Sequence, residues 1–279
     1  MAEFTLNQLL EYTINNGASD LHILIDSYPM VRIDGNLVVV AGSEILRNGQ
    51  IEKLIASSLS PDQYQLFLSN KDLDYSLSLE GMGRFRVNAY FQKGIPSASF
   101  RVIPLKINTV DSLGLPSVCH SFVGMKQGFI LVTGPTGSGK STTIASILDE
   151  VNQTRPAHIV TIEDPIEFVY RSAKSLISQR EIKSDTLSWN IALKAVLRED
   201  PDVVLIGEMR DLETISSAIT IAETGHLVLS TLHTIDASKT VDRIIGMYPK
   251  NEEKVIRTRL AQTFRYIVSQ RLIPKADGK

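Results

Sequence analysis

The spacing of apolar residues over the first hundred positions predicts helices combined with antiparallel strands. Residues 3–16 place apolar side chains on one side of a helix, and residues 20–25 alternate as a strand. The dipeptide Asp34-Gly35 separates two apolar runs and predicts a two-residue hairpin. A helical stretch over 50–69 is interrupted by Pro61 and followed by strand-like runs at 73–79, 84–91 and 98–103. We therefore predict an α+β domain over residues 1–103, with helices packed on one side of a small sheet.

The pattern changes in the second half of the chain. Residues 104–127 contain several prolines and glycines and show no period, so we predict a linker there. From residue 128 onward, short apolar runs alternate with helical stretches, at 129–133, 159–162, 203–206 and 227–231. This alternation is typical of a mostly parallel sheet with crossover helices, which predicts an α/β domain over 128–279. The last stretch, 239–279, is predicted to be helical.

Composition narrows the class of protein. The chain has 279 residues, which suggests about two domains, and its net charge of −2 argues against a protein that coats nucleic acid. The single cysteine, Cys119, excludes an internal disulfide framework and a cysteine zinc cage. The first residues carry no basic region, and the apolar runs are too short to span a bilayer. We expect a cytoplasmic protein that meets a membrane only through a partner.

A phosphate-binding motif follows the first strand of the second half. Residues 134–141 read GPTGSGKS, which fits G-x-x-x-x-G-K-[ST] between a strand and a helix. Glycines allow backbone N–H groups to turn towards phosphate oxygens, and the helix N-terminus favours the same anion. Lys140 suits the β- and γ-phosphates, and the Ser141 hydroxyl suits Mg²⁺. The predicted ATP site comprises Gly134, Pro135, Thr136, Gly137, Ser138, Gly139, Lys140, Ser141 and Thr142. A glycine turn that binds nothing is the alternative.

Carboxylates at the ends of two predicted strands are the candidate catalytic groups. Glu208 ends the apolar run DVVLIGE, so we assign it as the general base for water or as a metal contact through water. Glu163 follows the run IVTI, and it is a second candidate for orienting water or Mg²⁺. The alternatives are an ordinary strand-capping carboxylate at Glu208 and a turn at Asp164-Pro165.

Two histidines and three arginines complete the candidate set. His233 follows the last apolar run and is expected near the γ-phosphate, whereas His226 precedes that run and suits a supporting or interface position. Arg84, Arg86 and Arg101 alternate onto one face of the N-terminal sheet. With no matching acidic run in the sequence, these arginines predict a bound anion, and surface ion pairs are the alternative. Arg198 and Arg210 flank the Glu208 strand, and the sequence does not decide whether either acts across a subunit boundary.

Together these motifs resemble the secretion-superfamily ATPases of type II secretion and type IV pili. The matching segments, in order, are GPTGSGKS, TIEDPIE, the Glu208 strand and ETGHLVLSTLHT. The segment GEMRDLET at 207–214 and residues 19–22 and 32–35 look most like the pilus-retraction, or twitching-motility, class. The resemblance covers nearly the whole chain.

This resemblance implies several properties. It implies a homohexamer whose subunits have a PAS-like N-terminal domain and a RecA-like P-loop domain. ATP would be bound with Mg²⁺, Arg84, Arg86 and Arg101 would reach the nucleotide, and Glu163, Glu208, His226 and His233 would act in hydrolysis. The motor would work at the inner face of the cytoplasmic membrane on a platform protein of the pilus. Members of the class continue past 271–275 with further helices, so the C-terminal helical end is expected to be truncated here.

Other functions remain as alternatives. Extension and type II secretion ATPases belong to the same superfamily, but they usually carry a four-cysteine metal site that this chain cannot form. A nucleic-acid translocase would favour a basic pore, and the net charge argues against it, so no nucleic-acid partner is expected. A nucleotide-binding assembly subunit that hydrolyses little is the third class, and the presence of Lys140, Ser141 and Glu208 argues against it.

Overall fold

The computed structural model describes residues 4–104 and 106–273, and the chain divides into two compact units, Met1–Leu105 and Lys106–Lys279. The first unit is an antiparallel sheet of six strands in the order β3-β2-β1-β6-β5-β4. Its elements in chain order are α1 (Leu6–Asn15), β1 (Asp20–Ile23), β2 (Met30–Ile33), β3 (Asn36–Val39), α2 (Asn48–Ala56), α3 (Pro61–Asn70), β4 (Asp72–Leu79), β5 (Gly83–Gln92) and β6 (Ile95–Ile103). This confirms the predicted antiparallel sheet.

The local chemistry of the first unit explains where its elements begin and turn. Asp34 and Gly35 both have positive φ, 46° and 82°, as the predicted two-residue hairpin between β2 and β3 requires. Ser60 caps α3 by accepting a hydrogen bond from the Gln63 N–H, and Pro61 begins the helix. One face of the sheet buries apolar side chains, among them Phe85, Val87 and Phe100. The opposite face is therefore left to polar residues.

The second unit is a parallel sheet of six strands in the order β12-β7-β11-β10-β8-β9. Its elements are α4 (Val118–Val123), β7 (Gly128–Thr133), α5 (Lys140–Thr154), β8 (His158–Glu163), β9 (Leu176–Glu181), α6 (Trp189–Val196), β10 (Val203–Ile206), α7 (Leu212–Glu223), β11 (Leu227–Leu232), α8 (Ala237–Gly246), α9 (Glu253–Thr263) and β12 (Phe264–Ser269). The four central strands are fully buried runs, apart from a half-buried first residue in β8.

Apolar cores lie on both faces of this sheet. One core joins alternate strand residues such as Leu131 and Val204 to α6, α7, α8 and α9. The other joins Ile130 and Leu205 to α4 and α5. Coverage of both faces is what a parallel sheet with crossover helices requires, and it confirms the α/β fold class.

Two predictions about the fold need correction, and one strand is not predicted by the sequence pattern. Residues from 106 onward belong to the second unit rather than to a linker, because Val110, Cys119 and Phe122 pack into its core. Strand β9 was not predicted. Residues 264–269 form a strand instead of continuing a helix, because this segment pairs with β7. The predicted end of the chain, 274–279, lies outside the described residues.

Candidate nucleotide-binding site

The parallel strands of the second unit bring the predicted motifs to one edge of the sheet. Strand β7 leads into the glycine loop, β8 ends at Glu163, β10 is followed by Gly207 and Glu208, and β11 is followed by His233. All four strands run in the same direction, so their carboxyl ends meet at this edge. Ligands of open α/β sheets bind at this position.

The glycine loop, residues 134–139, has the backbone that an anion site requires. Gly137 and Gly139 have φ values of 77° and 86°, in the left-handed region that favours glycine. Gly139 is also the N-cap of α5, and it offers no side chain to the first N–H groups of that helix. These N–H groups and the helix dipole are therefore available to a phosphate.

Lys140 begins α5 and lies largely buried beside the loop. Its Nζ donates a hydrogen bond to the Pro135 carbonyl at 2.9 Å. Burial lowers the pKa of the ammonium below its ordinary value, and the carboxylates of Glu208 and Glu167 oppose this effect. Ser141 and Thr142 follow on the first turn, both half-buried. The cation thus lies at the loop and within electrostatic reach of Glu208.

The side chains of Arg210 and His233 hold the Glu208 carboxylate. Its Oε2 accepts a hydrogen bond from Nη2 of Arg210 at 2.9 Å, and its Oε1 lies 3.1 Å from Nε2 of His233. Burial raises the pKa of the carboxyl, but the hydrogen bonds and charges of Arg210 and His233 outweigh it and bring the pKa below its ordinary value. The group is therefore a fixed anion near neutral pH.

The backbone around Glu208 is fixed by neighbouring strands. The Gly207 N–H donates to the Ile162 carbonyl at 2.9 Å, and the Thr231 hydroxyl donates to the Gly207 carbonyl at 2.7 Å. These bonds tie the end of β10 to β8 on one side and β11 on the other. They fix the backbone position from which the Glu208 side chain extends.

Glu163 lies at the end of β8 in a different environment. Its Oε1 accepts hydrogen bonds from the Thr161 hydroxyl at 2.7 Å and from the Gln179 amide at 3.4 Å, and its Oε2 accepts one from the Glu167 N–H at 3.4 Å. The residue is only 6 % exposed. Burial raises its pKa to about 7 despite these bonds. Unlike Glu208, this carboxyl changes its protonation near neutral pH.

The structure separates the two predicted histidines. His233 joins the site, because its Nδ1 lies 3.5 Å from the Thr136 hydroxyl while its Nε2 contacts Glu208. His226 lies at the beginning of β11, where its carbonyl accepts from Gly128 N–H and its Nδ1 contacts Thr224 and Ile221. The length of a six-residue strand, roughly 20 Å, separates it from the loop edge. The structure does not bring His226 to this site of the same chain.

The three predicted arginines lie on the polar face of the first unit's sheet. Arg86 and Arg101 are direct cross-strand neighbours, and Arg84 lies opposite Ile103. The sequence has no acidic run to match these arginines, but the structure gives one of them a single acidic partner, because Nε of Arg101 donates to Oδ1 of the buried Asp20 at 2.8 Å. Contact of Arg84, Arg86 and Arg101 with a nucleotide stays a prediction, and Arg101 already has an anionic partner.

Some residues of the site were not predicted in their present roles. The sequence suggests Arg210 only as a candidate for a subunit boundary, yet it contacts Glu208 of its own chain. Thr161 and Gln179 hold the Glu163 carboxyl. Gln270, which follows β12, contacts both the loop and α5. A strand predicted at 264–269 would have placed Gln270 at this edge, because Gln270 directly follows that strand.

The oxygen atoms available here fit Mg²⁺ bound together with a nucleotide. Mg²⁺ retains several waters and takes one or two protein ligands beside substrate phosphates. The Ser141 hydroxyl and the Glu208 carboxylate offer oxygen atoms of this kind at the loop edge. Within residues 4–104 and 106–273, no group of three or more histidine, cysteine or acidic side chains is arranged to hold a metal ion.

Fold and site together define a P-loop ATPase. A family model described as Type II/IV secretion system protein matches residues 1–279. This chain belongs to that family. No helix within the part of the chain that the structure describes is long and apolar enough to cross a membrane.

Named relatives are similar to the chain over most of its length. It is 45 % identical over 273 residues to "Type IV pilus retractation ATPase PilT" of Pseudomonas aeruginosa, covering 98 % of this chain and 79 % of the relative. It is 46 % identical over 250 residues to "Twitching motility protein" of Neisseria gonorrhoeae, covering 90 % and 67 %. A crystal structure of the pilus retraction motor PilT with bound ADP matches with a TM-score of 0.94 at 45 % identity, covering 99 % of this chain and 80 % of the other.

Proposed function

We propose that this protein is a Mg²⁺-dependent motor ATPase that powers retraction of a type IV pilus. The observation that carries the proposal is the Glu208 carboxylate, held between Arg210 and His233 at the loop edge. His233 extends this contact to Thr136 of the loop. The resemblance to the structure of a retraction motor with bound ADP supports nucleotide binding by this chain and a role in pilus retraction.

In the proposed reaction, backbone N–H groups of the loop and Lys140 bind the phosphates. The Ser141 hydroxyl would hold Mg²⁺, and a bound ion would supply charge neutralisation at the phosphates. Glu208 accepts a hydrogen bond from the attacking water and orients it towards the γ-phosphate. Glu163, with a pKa of about 7, is the candidate to take up the proton that the attacking water releases near neutral pH. His233 links Glu208 to the loop, so that movement of Thr136 on phosphate binding reaches the carboxylate.

The proposed assembly is a homohexamer at the inner face of the cytoplasmic membrane. It acts there on a platform protein of the pilus. In such a ring, Arg84, Arg86 and Arg101 are the candidates to approach a nucleotide from the N-terminal domain, and His226 is a candidate interface residue. A pilus-extension or type II secretion ATPase is the alternative function. The relatives named for retraction and twitching motility, at 45–46 % identity, favour retraction.

The test is ATP hydrolysis by the full chain at increasing protein concentration, with and without Mg²⁺. A specific rate that rises with concentration and requires Mg²⁺ supports subunits that complete one another's sites. Glu208→Gln should lower kcat by at least about 100-fold, because it removes the anion that orients water, while ATP binding remains. Glu213→Gln, on the exposed face of α7, is the matched control. Undiminished turnover in Glu208→Gln would refute the role of this carboxylate.

A further inference from the structure

Gln270 contacts the glycine loop at both of its ends. Its backbone N–H donates to the Thr133 carbonyl at 2.7 Å, which continues the pairing of β12 with β7 by one residue. A Cβ atom on Gly134 would lie 2.2 Å from the Gln270 carbonyl oxygen. A Cβ atom on Gly139 would lie 2.9 Å from Nε2 of the same residue. The first and last glycines of the loop are therefore packed against one residue that lies outside the motif.

The side chain of Gln270 also reaches the helix that follows the loop. Its Oε1 accepts a hydrogen bond at 2.8 Å from the hydroxyl of Thr143, a residue that is 1 % exposed in the first turn of α5. One amide group thus contacts Gly139 through its nitrogen and Thr143 through its oxygen. Gly139 and Thr143 lie on either side of Lys140 and Ser141, the residues proposed to contact phosphate and Mg²⁺.

We propose that Gln270 is a positioning residue for nucleotide binding. It fixes the loop against β12 and sets the first turn of α5, so that the N–H groups and Ser141 face the phosphates before a nucleotide arrives. The inference rests on the proposed nucleotide site. It adds that the end of β12 is part of that site through Thr143, without contact to the reacting atoms.

The distribution of contacts distinguishes this role from ordinary strand packing. The backbone bond to Thr133 anchors β12 whatever the side chain is. The amide reaches only the loop and α5 in its described contacts. A change confined to the amide should therefore alter the loop and leave the sheet pairing intact.

The experiment compares Gln270→Met with Gln262→Met in the full chain. Methionine keeps the length of the side chain and loses the amide. Gln262 is exposed in α9. Its substitution is therefore the control for a glutamine-to-methionine change made away from the loop. The readouts are the Kd of ADP carrying an N-methylanthraniloyl fluorophore, the KM and kcat for ATP, and Tm. We expect Gln270→Met to raise Kd and KM roughly three- to tenfold, the effect of one lost hydrogen bond. Tm should fall by a few degrees at most, because the buried Thr143 hydroxyl loses its acceptor while the backbone bond to Thr133 remains.

A double-substitution cycle with Thr143→Val tests whether Gln270 acts on nucleotide binding through Thr143. If Gln270 acts through Thr143, the double variant binds no more weakly than the weaker single variant. Additive effects would overturn that route, and an unchanged Kd with a lowered Tm would reduce Gln270 to strand packing. Failure of the wild-type chain to bind ADP would overturn the nucleotide site itself, whereas binding by the wild type that Gln270→Met leaves unaltered would overturn only the role of Gln270.

Discussion

The buried carboxyl of Glu163 should make the stability of the second unit depend on pH. Burial raises its pKa from the ordinary 4.5 to about 7. A carboxyl with a raised folded pKa binds its proton more tightly in the folded state than in the unfolded state. The free energy of unfolding therefore falls as the pH rises between the two pKa values, and it stays at the lower level above them. A pKa change from 4.5 to about 7 corresponds to about 3 kcal/mol.

Glu163→Gln removes the ionisation and keeps the size of the side chain. Relative to the wild type, the variant should gain about 3 kcal/mol in free energy of unfolding between pH 4.5 and pH 8. The amide cannot accept a hydrogen bond through its nitrogen, so the bond from the Glu167 N–H is disturbed. That disturbance does not vary with pH in this range, and the pH-dependent difference therefore isolates the charge of the carboxylate.

The assay is urea unfolding followed by the fluorescence of Trp189, the single tryptophan, which packs against the core of the second unit. Glu252→Gln removes an exposed carboxylate from the same unit and serves as the control. Curves of stability against pH that run parallel for the wild type and Glu163→Gln would refute the reasoning. They would mean that the carboxyl has the same pKa in the folded and unfolded chain.

Two further predictions concern contacts on the loop and in the first unit. Gly134→Ala should weaken nucleotide binding far more than Gly137→Ala, because the new Cβ meets the Gln270 carbonyl at 2.2 Å, whereas nothing lies within 4 Å at Gly137. Gly137→Ala should cost only the left-handed strain of about 1–2 kcal/mol, and equal Kd values for the two variants would contradict this. Asp20→Asn should lower the Tm near pH 7, because it removes the partner of Arg101. Burial raises the pKa of the Asp20 carboxyl. Hydrogen bonds from Ser19 and Arg101 favour the carboxylate, outweigh burial and bring the pKa below its ordinary value. The difference in Tm should therefore shrink as the pH falls below 4, and a constant difference would count against the ion pair.

The central strands could be predicted because burial on both faces leaves continuous apolar runs. The edge strands could not. Strand β9 mixes polar and apolar residues because it is half-exposed at the end of the sheet order. Strand β12 begins at Phe264, directly after the last residue of α9, with no glycine or proline to mark the change. A helical pattern that no glycine or proline interrupts predicts one long helix. The pairing with β7 makes residues 264–269 a strand instead.

The position of the site was predictable, but its internal contacts were not. Parallel strands deliver the loop, Glu163, Glu208 and His233 to one edge, and that follows from the order of the motifs. The contact of Arg210 with Glu208 depends on the backbone of the short segment between β10 and α7. In the first unit, the pairing of Asp20 with Arg101 depends on the register of β1 against β6. Neither feature is visible as a period or a motif in the sequence.

The two carboxylates at this edge are distinguished by their environments rather than by their positions. Glu208 receives charge and hydrogen bonds from Arg210 and His233, and its pKa is lowered although burial opposes this. The donors to Glu163 within the described part of the chain are neutral, and burial raises its pKa to about 7. When the surroundings shift the pKa values of two neighbouring acids in opposite directions, one acid remains an anion while the other can exchange a proton. This asymmetry supports the proposal that Glu208 orients water and Glu163 takes up a proton. The lowered pKa of Glu208 depends on Arg210 remaining beside it.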